Sequence, residues 1–263
     1  MKRLIKKTLL FTIPLVFSAC IFDSDEEDVE PWDAEAVCPA EGTNSYGMPN
    51  RGTFTDERDG EVYRYTTIGD QVWMAENLRY DAPYSTCCND TNFIRQYCEL
   101  IEHNCGTEAC CRESMCNLFG RYYSIVENGK EMGLIDEMLA DTICPKGWHL
   151  PTKDEWKKFN ETLKTNGETE VVIANRIKHS DSAYFSLSNV MLPGTDDCAM
   201  GIMPSGYLYE GGKAKTIGAS FLSTTQKNSD FIYSYKVGSG ISISSHYYRN
   251  SIRCIKDSIN PEL

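Results

Sequence analysis

Cysteine is the residue type with the widest chemistry in this chain, because a thiol can form a disulfide, bind a metal or attack a substrate. The 263 residues include 12 cysteines. If Cys20 is lipidated, as argued below, eleven remain, and seven of these fall between residues 87 and 116. An odd number leaves a free thiol, a link between two chains or an incomplete pairing. The eleven are Cys38, Cys87, Cys88, Cys98, Cys105, Cys110, Cys111, Cys116, Cys144, Cys198 and Cys254.

The spacing of Cys98, His103 and Cys105 admits a zinc site as an alternative to disulfides. Zinc sites usually show paired C-x2-C spacing, whereas residues 87–116 contain adjacent cysteines and gaps of four to six residues. Secreted chains rich in cysteine use them as disulfides. We therefore expect a disulfide-rich protein with no metal and no cofactor, and the pairing within residues 87–116 stays open.

Histidine and acidic residues offer little catalytic chemistry. His103 is the only histidine near the cysteine cluster, and His149 lies in a Trp-His-Leu-Pro turn, where a hydrogen-bonded structural role is expected. The chain shows no Ser-His-Asp or paired-His pattern. The acidic pair Asp196-Asp197 is too little for a metal site. We expect no catalytic residues and a protein that is not an enzyme, although the odd cysteine leaves a reactive thiol open.

Tyrosine is the residue type best suited to binding in this chain, which has 15 Tyr and 4 Trp. Such rings stack on sugars and form hot spots for protein partners. The candidate contacts are Tyr207, Tyr209, Tyr247 and Tyr248, in or beside predicted loops. The alternative for each is a partly buried ring with its hydroxyl in water.

The first element that the pattern predicts is a hairpin. Residues 62–68 and 71–75 are rich in β-branched and aromatic side chains and flank Gly69-Asp70, a turn pair. Residues 81–117 show no sustained period, and we interpret 87–117 as a cysteine-rich insertion. Residues 120–125 resume apolar patterning and are expected to lead into a short helix.

A helix is predicted over residues 153–165. Thr152 and Glu155 have the spacing of a capping box, and Asn166-Gly167 would end the helix. Three apolar residues fall on one face and are expected in the core: Trp156, Phe159 and Leu163.

The last third of the chain is strand-like. Residues 231–237 alternate so that one face is aromatic, residues 238–240 turn the chain, and residues 241–243 alternate again. Residues 251–256 are expected to close the sheet, with Ile252 and Cys254 on one face. Residues 258–263 form a tail.

The first nineteen residues read as a lipoprotein signal peptide. A basic start is followed by nine mostly apolar residues, too few to span a bilayer, and then by Ser18-Ala19-Cys20. Residues Phe17 to Cys20 resemble a lipobox, so Cys20 is the predicted lipidation site, carrying palmitate among its acyl chains. Such chains make a durable membrane anchor. Ile21 favours the outer membrane, at the surface or facing the periplasm.

An acidic run follows the anchor. Residues 23–30 are almost all acidic and cannot bury a core, so residues 20–50 are predicted to be a flexible linker. Removing residues 1–19 takes away four basic and no acidic side chains, which lowers the net charge from −12 to −16. This charge argues against nucleic acid and against anionic lipid headgroups as partners, because phosphate contacts need Lys and Arg.

A string of motifs then resembles one family. It comprises DERDGEVYRYTTIGDQVWMAENLRY, GRYYSI, CPKGWHLPTKDEWKKF, Leu192-Pro193-Gly194, GIMPSGYLYEGG, FLSTTQ and SIRCIKD. In this order they are similar to the Fibrobacter succinogenes major paralogous domain, over roughly residues 52–257. The expected domain therefore spans residues 51–257, although its cysteine-rich part departs from the family pattern.

The resemblance implies an α+β, C-type-lectin-like fold, with short helices on small antiparallel sheets and disulfide staples. In that layout a cysteine near the start of a helix pairs with one on the last strand, which here implies a Cys144–Cys254 bridge. For activity, the resemblance implies only a secreted, often lipid-anchored domain of uncertain activity. The anchor, the acidic spacer, the disulfide-stapled domain and the many tyrosines favour a surface-anchored, non-catalytic binding or adhesion module for a polysaccharide or a surface protein. The alternatives are an enzyme like the formylglycine-generating sulfatase-modifying factors, and a structural part of an envelope complex.

Overall fold

The computed structural model describes residues 31–83, 85–100, 106–123, 142–165, 167–188, 191–209, 213–215, 218–228, 231–245 and 248–258. The predicted signal peptide, the lipidation site Cys20 and the helix expected after residue 125 lie outside these ranges. Among the described residues, no helix is both long enough and apolar enough to cross a bilayer.

The described part of the chain folds into short helices and small antiparallel sheets, so the predicted α+β class is confirmed. The strands are β1 (Arg51–Thr55), β2 (Val62–Ile68), β3 (Gln71–Met74), β4 (Ser85–Thr86), β5 (Tyr122–Tyr123), β6 (Trp148–His149), β7 (Tyr207–Tyr209), β8 (Lys213–Lys215), β9 (Ser220–Asn228), β10 (Phe231–Lys236), β11 (Gly240–Ser245) and β12 (Ile255–Lys256). The helices are α1 (Ala34–Val37), α2 (Thr91–Leu100), α3 (Glu108–Phe119), α4 (Lys153–Thr162), α5 (Glu170–Asn175) and a 3₁₀ helix (Ser182–Leu187).

The predicted hairpin is confirmed as β2 and β3. Ile68 pairs with Gln71, which leaves Gly69 and Asp70 as a two-residue loop. Gly69 has a φ of 59°, the left-handed conformation that a type II′ turn requires at its first loop position. The hairpin belongs to a five-stranded sheet in the order β1-β2-β3-β12-β6.

The predicted closing strand is shorter than expected and lies inside the sheet. Only β12 joins the ladder, between β3 and β6, where Ile255 pairs with both Trp73 and His149. The expectation of a strand over 251–256 is therefore corrected, because Ser251 instead forms a parallel bridge with Phe221. Ile252 and Cys254 are both buried in one apolar cluster.

Helix α4 begins as predicted and ends early. The Thr152 hydroxyl and the Glu155 carboxylate form the reciprocal bonds of a capping box. The helix ends at Thr162 and not at residue 165, because the Thr165 N–H donates to the Glu168 carboxylate at 2.9 Å and cannot continue the helical pattern. Its three predicted core residues are buried: Trp156, Phe159 and Leu163.

The cysteine-rich segment, in which the sequence shows no sustained period, contains the two helices α2 and α3. The Asp90 carboxylate accepts from the N–H groups of Asn92 and Phe93 at the start of α2. Helix α3 is capped by Thr107 and ends at Phe119, and the C-cap residue Gly120 that follows has a φ of 74°. The two helices bury one shared apolar cluster, formed mainly by Phe93, Ile94, Tyr97, Cys111, Met115 and Phe119.

Residues 31–50 pack against the rest of the chain, so the predicted linker over 20–50 is corrected for that part. Cys38 is buried and forms a disulfide with Cys198, with 5.2 Å between the Cα atoms. The Asn44 side chain accepts from two backbone N–H groups of its own loop and donates to Thr67 of β2 at 3.1 Å. These contacts make the segment part of the domain.

A second sheet, in the order β11-β10-β9, packs beneath α4. The Tyr235 ring of β10 stacks on Trp156 of α4 with 4.7 Å between ring centroids and 5° between planes. Phe231, at the start of the same strand, remains 40% exposed. The aromatic face predicted for residues 231–237 is thus covered by α4 at only one end.

Candidate binding site

Strand β7 holds two of the predicted tyrosines. Leu208 between them is fully buried, and strand alternation turns its neighbours Tyr207 and Tyr209 to the opposite face. Tyr207 is half-buried and Tyr209 is 38% exposed. Tyr207 and Tyr209 are the first and last residues of this three-residue strand, and both pair with strand β8.

Tyr248 is brought to Tyr207 by a backbone bridge. The N–H groups of Leu208 and Arg249 donate to each other's carbonyl oxygen at 2.9 and 2.8 Å. The two tyrosine rings then lie with centroids 4.9 Å apart and an interplanar angle of 32°. The fourth predicted contact, Tyr247, lies outside the described residues.

The cysteine-rich helices pack against strand β7, which carries Tyr207. Leu208 packs into the same apolar cluster as α2 and α3. The Ala214 N–H of β8 donates to the Asp90 carboxylate at 3.2 Å, and the Tyr122 hydroxyl donates to the Ser205 carbonyl. The insertion that sequence analysis left without a role therefore fixes the position of β7.

A cleft of about 120 Å³ has Tyr207 in its wall. Its wall includes Ser220 at the start of β9 and Lys236 at the end of β10, two residues that pair in the ladder. Sequence reasoning missed both. The sequence did contain a signal for Lys236. It lies on the same strand face as Ile232 and Ser234, which are both buried, and an unpaired lysine is unusual on a buried face.

A larger cavity of about 560 Å³ lies against α3. Its wall carries three arginines, and each already forms an ion pair with a carboxylate of the chain. The pairs are Arg79 with Glu61, Arg112 with Glu108, and Arg121 with Asp81. Their charges are thus compensated within the protein.

Disulfides account for nearly all of the described cysteines. The structure joins Cys144 to Cys254, the pair that the resemblance implies, with 6.0 Å between the Cα atoms. The pairs Cys87–Cys116 and Cys98–Cys111 tie the cysteine-rich helices, and Cys110 is also disulfide-bonded. Two residues of the zinc alternative, His103 and Cys105, lie outside the described residues.

Cys88 is the free thiol among the described cysteines, and it is buried. Burial raises the pKa of the Cys88 thiol to about 11. A nucleophilic cysteine needs the opposite, an accessible thiol with a lowered pKa. Cys88 is therefore a poor nucleophile and is badly placed to link two chains.

His149 has the hydrogen-bonded position expected from its turn. Its Nδ1 and Nε2 atoms each lie 2.8 Å from a carboxylate oxygen, of Asp257 and Glu155 respectively. Burial alone would lower the pKa of His149, but the bonds and charges of these two carboxylates raise it.

The acidic pair Asp196-Asp197 is engaged within its own turn. Asp196 has a φ of 54°, and its carboxylate accepts from the Gly201 N–H at 2.8 Å. Burial raises the pKa of Asp196 in spite of this bond. The Asp197 carbonyl accepts from Arg51. Across the described ranges, no three His, Cys, Asp or Glu side chains are grouped so that they could hold a metal.

The comparisons with known proteins agree with the motifs. No curated protein and no solved structure matches the chain. Residues 66–256 match the Fibrobacter succinogenes major domain (Fib_succ_major). This match begins within β2 and covers β3, β6 and β12 of the five-stranded sheet and the tyrosine site on β7. The chain belongs to the Fibrobacter succinogenes major domain family.

Proposed function

We propose that this chain is a lipid-anchored, non-catalytic binding module of the cell envelope, with a glycan or surface-protein ligand. The observation that carries the proposal is the Tyr207–Tyr248 ring pair beside an open cleft. Partly exposed tyrosines offer flat apolar faces to a sugar ring and hydroxyls to its polar edge. The ring pair is held by two backbone bonds and a buried leucine, so little ordering is needed on binding.

A C-type-lectin-like layout is part of this proposal. Its support is the Cys144–Cys254 bridge, which joins the residues before α4 to the start of the last strand. In such a layout, the loops and short strands away from the central sheet meet the ligand. Strand β7 and residues 248–250 belong to that region.

The enzymatic alternative, a relative of sulfatase-modifying factors, would need a reactive cysteine. The free thiol among the described residues, Cys88, is buried and has a raised pKa. This chemistry favours a binding role over a catalytic one.

Binding of polysaccharides and surface proteins tests the proposal. The full-length protein in detergent micelles would be applied to a glycan array and to isolated cell-wall polysaccharide, with and without a chelator. Tyr207→Ala and Tyr248→Ala should each weaken binding about three- to tenfold, the range expected for loss of one stacked ring. Tyr184→Ala, whose half-buried ring packs on His179, is the matched control.

Equal binding by Tyr207→Ala and the unaltered protein would contradict the proposed site. The anchor has its own test, since Cys20→Ala should move the protein from the detergent phase to the aqueous phase on phase separation. Unchanged partitioning would remove lipidation from the proposal.

A further inference from the structure

Ser220 is an unpaired polar group in the wall of the cleft beside Tyr207. The residue is only 2% exposed, yet its hydroxyl has no hydrogen-bond partner among the described residues. A buried hydroxyl without a partner destabilises the folded state. Other buried serines of the same sheet are paired: the hydroxyls of Ser234 and Ser244 lie 3.1 Å apart. Of these three serines, the unpaired Ser220 is the one that lines the cleft beside Tyr207.

Lys236 adds an uncompensated positive charge to the same wall. Its ammonium forms no ion pair with any carboxylate in the described ranges, although the chain as a whole carries a net charge of −12. Burial and the charge of Lys215 lower the pKa of Lys236. A bound anion would oppose this lowering of the pKa, because it would supply the missing opposite charge.

The size of the cleft limits what can enter it. A volume of about 120 Å³ holds about four water molecules at liquid density. This is enough for a carboxylate group with its hydration, and too little for a whole sugar ring. The remainder of a ligand would lie outside, against the Tyr207 and Tyr248 rings.

We propose that this cleft binds the carboxylate of an acidic sugar residue, whose ring stacks on Tyr207 while its carboxylate accepts hydrogen bonds from Lys236 and Ser220. The inference rests on the proposed binding function and names its ligand class. The net negative charge of the protein does not oppose such a ligand at contact, because charges farther away than about 8 Å are screened at physiological salt.

The test compares acidic polymers with their carboxyl-reduced counterparts. Polygalacturonate, glucuronoxylan and alginate, each intact and carboxyl-reduced, would be titrated into the full-length protein in micelles at 0.15 M salt. At least one acidic polymer should bind about tenfold more tightly than its reduced form. Lys236→Gln should abolish that preference, whereas Lys227→Gln, an exposed lysine of β9 outside the cleft, should keep it.

Ser220→Ala separates binding from folding. Removing a buried, unpaired hydroxyl should raise the melting temperature by about 2–4 °C, while the affinity for the acidic polymer falls about fivefold. Ser234→Ala, which breaks a paired hydroxyl on the same sheet, should lower the melting temperature and leave the affinity unchanged. A drop in the melting temperature of Ser220→Ala with unaltered affinity would refute the role of Ser220.

The remaining outcomes distinguish the two proposals. Equal binding of acidic and reduced polymers, lost in Tyr207→Ala, overturns the carboxylate site and keeps the binding function. Displacement of the polymer by inorganic sulfate as effectively as by free galacturonate shows a general anion site and overturns the inference. Absence of binding to all six polymers overturns this inference and also a glycan as the ligand. The proposed binding function would then depend on the binding experiment with surface proteins.

Discussion

The His149 side chain connects three parts of the fold through two hydrogen bonds. Its ring lies on β6, Glu155 on the first turn of α4, and Asp257 directly after β12. The histidine thus links α4 to the residue that follows β12. Because His149 carries a positive charge only when it is protonated, the strength of its bonds to the two carboxylates depends on pH.

The first prediction is a pH window of stability that depends on His149. Its pKa is raised in the folded state, so its contribution is complete below about pH 6.5 and is lost as the pH rises through the folded value. Burial would raise the pKa of Glu155, but bonds to His149 and Thr152 lower it, so that contribution is lost as the pH falls below about 4.5.

Thermal unfolding from pH 4 to 9 measures this window. The difference in melting temperature between the unaltered protein and His149→Gln should be largest near pH 5–6 and should shrink toward pH 8. His179→Gln provides a control histidine whose ring nitrogen accepts from the Asp181 N–H of its own loop. A difference that is constant with pH would show that His149 acts by packing alone.

At the scale of single residues, the sequence predicted the hydrogen-bonded state of His149 but not its partners, and it did not predict the contact between Tyr207 and Tyr248. The partner Asp257 lies 108 residues away from His149, and the Tyr207–Tyr248 contact depends on a backbone bridge. Such pairs arise from the topology, which local spacing does not contain.

Among the elements, two helices offer a direct comparison of capping. Thr152 caps α4 with a bond to the Glu155 N–H, whereas Thr169 has the same position before α5 and makes no side-chain cap bond. The second prediction is that Thr152→Ala lowers the free energy of unfolding by about 1 kcal/mol. Thr169→Ala should change it by a few tenths of that at most.

Urea unfolding of both variants measures this difference. The slope of the transition should be unchanged, since neither substitution alters the surface exposed on unfolding. Equal losses in the two variants would show that the effect comes from threonine content and not from the capping bond.

The elements that the sequence predicted well have strong local signals, and the others do not. The β2–β3 hairpin has a Gly-Asp loop, and α4 has a capping box. Helix α3 does have a helical period of buried residues, since Cys111, Met115 and Phe119 lie four residues apart and are all buried. Sequence patterns did not predict this helix, because its cysteines were counted as disulfide partners and not as apolar residues.

At the scale of the whole molecule, disulfides of long span dominate the expected stability. The third prediction is that Cys254→Ser lowers the melting temperature sharply, because the bridge to Cys144 closes a loop of 110 residues. In the chain-entropy model such a loop contributes about 4–5 kcal/mol. Differential scanning calorimetry, with Cys88→Ala as a control that breaks no bridge, checks it; an unchanged unfolding temperature would contradict it.

The fourth prediction concerns where the domain begins. A chain that starts at residue 51 loses Cys38 and leaves Cys198 unpaired, so it should be less stable by roughly 5 kcal/mol than one that starts at residue 31. Denaturant unfolding compares the two. Cys38→Ser in the complete chain should reproduce most of the loss, and equal stability of the two shortened chains would show that residues 31–50 add nothing.

The start of the domain could not be predicted from local sequence patterns. The acidic run before residue 31 predicts a flexible linker, and we had expected that linker to continue to residue 50. The burial of Cys38 depends on Cys198, 160 residues later in the chain. No local pattern specifies which distant cysteine is the partner, so the boundary follows only from the three-dimensional structure.

The interior position of β12 determines when this protein can finish folding. Residues 255–256 lie between β3 and β6, so the five-stranded sheet stays in two parts until this strand is in place. Ile255 pairs with Trp73 from the other end of the domain, and contacts of such long sequence separation form slowly. We therefore expect closure of the central sheet to be a late and slow step of folding.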